Sequence, residues 1–99
     1  MSDKTKPTAP PQSIPLKADE ATQSGAYANM TRISHDAESF VLDFLFVHSS
    51  PPFGRLVSRV VLTPGHAKRL AQALSENLKL YESSWGAIRV ALPPQGSVQ

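Results

Sequence analysis

The stretch SFVLDFLFV, Ser39 to Val47, sets Phe40, Leu42, Phe44 and Phe46 at one parity and Val41, Asp43, Leu45 and Val47 at the other. Successive side chains of a strand point to opposite faces, so both faces of this segment are apolar except at Asp43. Such a segment belongs in the middle of a sheet, with its second face at least partly covered.

Downstream, RLVSRVVL (Arg55 to Leu62) alternates Leu56, Ser58, Val60 and Leu62 against Arg55, Val57, Arg59 and Val61. The turn-rich HSSPPFG connects the two runs. Pairing residue 47 with 55 across it places Val41 opposite Val61, Asp43 opposite Arg59 and Leu45 opposite Val57. On the other face Phe40 meets Leu62 and Leu42 meets Val60. Charge meets opposite charge and apolar meets apolar, so the pairing predicts an antiparallel hairpin with a structural ion pair between Asp43 and Arg59. Arg32 is a second candidate to neutralise Asp43. Upstream, AYANMTRIS reads as a further strand, separated by the polar turn HDAE.

The next run, LTPGHAKRLAQALSENLKLYE (Leu62 to Glu82), has helical period. Ala67, Leu70, Ala71, Leu74, Leu78 and Tyr81 fall on one stripe, while Lys68, Gln72, Ser75, Glu76, Lys79 and Glu82 fall largely outside it. Thr63 supplies a capping hydroxyl, Pro64 suits the first helical position, and Gly86 stands where a C-terminal cap is expected. The expected fold is α+β: an antiparallel meander of about three strands followed by one long amphipathic C-terminal helix packed on the sheet. The small Ala67 and Ala71 would let that helix lie close to the phenylalanines. AIRVAL, residues 87 to 92, leaves strand and coil both open.

Residues 1–24 read as a disordered Pro-rich arm, with Ile14 and Leu16 its only large aliphatics after Met1. Its PTAP (Pro7 to Pro10) matches a short peptide bound by eukaryotic sorting domains, a four-residue coincidence that a solvated linker explains as well. Residues 25–91 form the single domain and 92–99 a frayed tail. A core of roughly 65 residues is marginally stable alone and calls for a further source of stability. The chain has no cysteine, which excludes disulfides and thiolate zinc sites. Self-association is the favoured of the remaining routes, so a homodimer or higher homo-oligomer is expected.

The net charge of +2 is spread over mixed signs, which makes nucleic acid an unlikely partner. No apolar run resembles a signal peptide or a membrane span, and a cytoplasmic location with no membrane partner is the expectation. Gly65, His66, Lys68 and Arg69 at a helix start are an anion-site candidate, because free amides and the helix dipole favour a negative charge there. Phosphate loops, however, place several glycines before the helix, and here a single Gly follows Pro64. Plain capping with solvated cations is the stronger reading. His35, His48 and His66 share no ligand spacing, and no serine sits in a nucleophile elbow. No catalytic residue, metal site or cofactor is expected, and the phenylalanines read as core rather than as a base-stacking surface.

YANMTRISHDAESFVLDF, followed after a loop by RVVLTPGHAKRLAQALSENLKLYESSWG, resembles the bacterial and archaeal domain-of-unknown-function family numbered 3467. The resemblance spans Tyr27 to about Ile88 and implies a fold but no activity. The leading functional expectation is a small non-enzymatic, self-associating binding or adaptor module with an unknown protein partner. Val41, Leu45, Val47, Val57 and Val61 are its expected contact face. The first alternative is a chaperone-like client binder, by fold-level analogy with the export chaperone SecB. The second is weak nucleic-acid binding through Arg32, Arg55, Arg59, Lys68 and Arg69.

Overall fold

A computed structural model of the chain describes residues 13–91. The PTAP motif and the tail from residue 92 lie outside that range. The elements in chain order are α1 (Glu20–Ser24), β1 (Met30–His35), β2 (Phe40–Ser49), β3 (Pro52–Leu62) and α2 (Pro64–Trp85). The strands form one antiparallel sheet in the order β1-β2-β3, with the doubly apolar β2 at its centre. The α+β meander with a long C-terminal helix is the architecture that the two hydrophobic periods predict.

Local chemistry explains the connections. In the β1–β2 turn the Asp36 carboxylate accepts hydrogen bonds from the backbone N–H groups of Glu38 at 2.8 Å and Ser39 at 2.9 Å. Asp36 returns its own N–H to the Ser39 carbonyl at 3.0 Å. Such Asx turns are why Asp favours these positions. In the β2–β3 hairpin Ser49 faces Pro52, and the Ser50–Pro51 bond is cis.

The hairpin register follows the expected pairing from Phe40↔Leu62 through Asp43↔Arg59 to Phe44↔Ser58. It then slips at an irregularity between Phe44 and Leu45, so that Leu45 faces Leu56 and Val47 faces Gly54. The expected Leu45–Val57 and 47–55 pairings are therefore each off by one residue. The cause is a β-bulge that gives β3 one residue, Val57, more than its partner.

The buried residues are Leu42, Asp43, Leu45 and Val47, all on β2. α2 buries none, and only Ala67 among its residues is even half-buried. The helix expected to pack on the sheet thus leaves it instead. Thr63 alone separates β3 from α2. Its extended backbone (ψ 156°) and the fixed φ of Pro64 set the helix direction at the strand end, with no loop for a reversal.

α1 modifies the reading of residues 1–24 as an arm. Asp19 caps this single helical turn by accepting from the Thr22 N–H at 2.7 Å, and Gly25 ends it at φ 85°. All of its residues are exposed. Ala21, Thr22, Gly25 and Ala26 join Val57 and Ser58 around a shallow cavity of about 310 Å³. Residues 87–91 carry neither helix nor strand.

Candidate functional site

The two sheet faces differ in chemistry. One is crossed by an ionic row, because Arg32, Asp43 and Arg59 are register partners on the three strands. The Arg59 guanidinium donates twice, from Nε to Oδ1 at 2.6 Å and from Nη2 to Oδ2 at 3.0 Å. Arg32 adds a bond from Nη2 to Oδ2 at 3.1 Å. The expected Asp43–Arg59 pair is present, and both candidate arginines serve Asp43 together. Asp43 is only 4% exposed. The Arg59 hydrogen bonds, helped by the one from Arg32, outweigh the removal from water that favours the neutral form and hold the carboxyl at about 2. The same contact raises the Arg59 guanidinium above its ordinary value. Both groups are ionised at neutral pH and matched, which suits fixing strand register.

The flanking apolar residues of this face were expected to form the contact surface. Leu45 and Val47 are buried inside the chain, Val41 and Val57 are half-buried, and only Val61, at 60%, is widely exposed. As a contact face the set needs correction: Leu45 and Val47 are already used within the fold. Leu56, exposed beside Leu45, was missed because the bulge moves it into that row.

The opposite face carries Phe40, Leu42, Phe44 and Phe46 of β2, flanked by Ile33 on β1 and by Val60 and Leu62 on β3. Aromatic contacts continue toward one end of it. The Phe46 ring centroid lies 6.1 Å from that of Tyr27 and 6.2 Å from that of Phe53, and His48 stacks on Phe53 at 5.5 Å. At the other end His35 stacks on Phe40 at 5.0 Å. This face is mostly apolar and aromatic, with histidines at its two ends and Arg55 opposite Phe46. Ile33 is 61% exposed and the three phenylalanines of β2 are half-buried.

Asn29 is a residue that the sequence pattern did not single out. Its side chain donates from Nδ2 to the Val47 carbonyl at 3.0 Å, and its Oδ1 accepts from the Val47 N–H at 2.9 Å. The carboxamide substitutes for a strand peptide and ties the residues before β1 to β2. A lone Asn beside a strand start gives no periodic signal for this role.

At the start of α2, Thr63 Oγ1 accepts from the His66 N–H at 3.1 Å and Pro64 occupies the first turn, as the sequence predicts for a cap. Gly65, His66, Lys68 and Arg69 are all exposed. Among the described residues no three of His, Asp or Glu lie together as metal ligands would. No described helix is long and apolar enough to cross a membrane.

No curated protein and no solved structure matches this chain. A family model does, over residues 1–90, which include the Tyr-Ala-Asn segment, the aromatic strand and the capped helix start. The chain belongs to the family described as Protein of unknown function (DUF3467).

Proposed function

We propose that the protein is a non-enzymatic binding or adaptor module that works as a self-associated assembly. The observation that carries this reading is the apolar stripe of α2, whose Leu70, Leu74, Leu78 and Tyr81 are 40%, 57%, 45% and 53% exposed. Only three apolar side chains are buried in the whole described fold, a core too small to stabilise a domain of this size by itself. Exposed apolar surface on this scale marks an interaction face. A catalytic role has no support in the titration chemistry: the strongly perturbed carboxylate, Asp43, is committed to two arginines of its own sheet. The test is sedimentation velocity of the full chain across a micromolar dilution series. A dimer or larger species that dissociates on dilution is expected. A monomer with a cooperative, concentration-independent melt would overturn the reading.

A further inference from the structure

We propose that two copies of this chain exchange their C-terminal helices, the apolar stripe of α2 from one copy lying across the aromatic sheet face of the other. The inference rests on the self-association proposed above and specifies its occupant and geometry.

Three observations carry it. The first is the single-residue link. Connections that return a helix onto the sheet it has just left use about 2–6 residues, whereas only Thr63 separates β3 from α2. Thr63 is also fixed by its cap to His66, and Pro64 has no freedom in φ. The stripe is thus directed away from its own sheet, which leaves that sheet's aromatic face open. Exchange of an element between identical copies relieves both deficits by one symmetric contact.

The second is length. From Ala67 to Trp85 the helix spans about 27 Å at 1.5 Å per residue. Along β2 the aromatic face from Phe40 to His48 spans about 27 Å at 3.4 Å per residue. The two surfaces match in length, and the small Ala67 and Ala71 of the stripe allow a close approach to phenylalanine rings.

The third is area. Exposed portions of Leu70, Leu74, Leu78, Tyr81 and Trp85, the last at 76%, face Ile33 at 61%, Val60 at 39% and the half-buried phenylalanines. Covering them buries on the order of 800 Å² per copy, the contribution of each partner to a standard stable interface. From Phe40 to Phe44 the residues of all three strands on this face include no Asp, Glu, Lys or Arg, and the cation Arg55 lies opposite Phe46 toward the far end of the covered stretch.

The absence of cysteine makes the test clean. Full-length Val60→Cys and a separately tagged Leu74→Cys protein are mixed, re-equilibrated and oxidised, with Leu70→Cys and Leu78→Cys as alternative helix positions. Exchange predicts a disulfide-linked heterodimer joining residue 60 to the helix, formed faster than either homodisulfide. The single tryptophan, Trp85, reports on the unmodified chain, its emission shifting to the blue as dilution is reversed. A dimer cross-linked only between helices, residue 74 to 74, overturns helix exchange while leaving self-association standing. So does a dimer joined through strand edges with no cross-link to the helix. A monomer with no blue shift overturns both proposals, and a residue 60 to 74 disulfide within one Val60→Cys, Leu74→Cys chain overturns the exchange in favour of a folded-back helix.

Discussion

Asp43 shows how one side chain can set an acid limit on the fold. Its carboxyl is held at about 2 in the folded chain, chiefly by Arg59, against roughly 3.9 for a free aspartate. A folded value below the unfolded one means that the native state binds the proton less readily. The stabilisation is complete above about pH 4 and drains away as pH falls through about 2. Asp36, lowered by its turn hydrogen bonds, acts in the same direction. The expected outcome is a melting temperature that is flat from neutrality to about pH 4 and falls below it. Asp43→Asn should lower the neutral plateau and flatten the acid decline, which thermal melts between pH 2 and 7 will read. Two further residues separate core from surface. Leu45→Ala, at a buried position, is expected to cost about 2–5 kcal/mol. Val61→Ala should stay within about 0.5 kcal/mol. Paired urea titrations compare them, and equal costs would place Val61 in a buried contact.

At the level of elements, α2 is written in its first and last residues. Thr63 caps, Pro64 starts, and Gly86 closes the helix at φ 94° while its N–H reaches the Glu82 carbonyl at 3.0 Å. Thr63→Ala is expected to cost about 0.5–2 kcal/mol, whereas Lys68→Ala and Arg69→Ala should each change stability by less than about 0.5 kcal/mol. Chemical denaturation measures all three. Millimolar phosphate that raised the melting temperature of the parent but not of the double Lys68→Ala, Arg69→Ala variant would show an anion site instead. These caps were legible because each depends on one residue and its near neighbours. The alternations of β2 and β3 were legible for the same reason, as was the meeting of Asp43 with Arg59. The bulge was not: Val57 adds one residue to β3 without a Gly or Pro to mark it, so Leu56 was assigned to the wrong face and Val57 to the contact set. The path of α2 was hidden too. An amphipathic stripe shows that a helix has a partner, but it does not say whether the partner belongs to the same chain.

For the whole molecule, the proposed assembly around an uncovered helix makes folding and assembly one process. On that proposal a tenfold dilution should lower the melting temperature, because the assembly covers the apolar stripe that the single chain leaves exposed. Calorimetry at several concentrations measures it, and a constant melting temperature would mean that the three-strand core stands alone. The bulge that displaced the hairpin register has a separate effect on the outside of the sheet. With the order β1-β2-β3, the outer side of the 11-residue β3 pairs with no other strand among the described residues, the kind of edge on which identical chains stack into fibrils. Val57 interrupts that edge midway, and Arg55 sets a positive charge two residues from the break, whereas Arg59 on the other side is paired with Asp43. An interrupted ladder with a cation beside it is expected to pair poorly with a second chain in register. Deleting Val57 should regularise the ladder and shorten the lag of thioflavin-positive fibril growth at pH 7; an unchanged lag would mean that the bulge does not guard the edge.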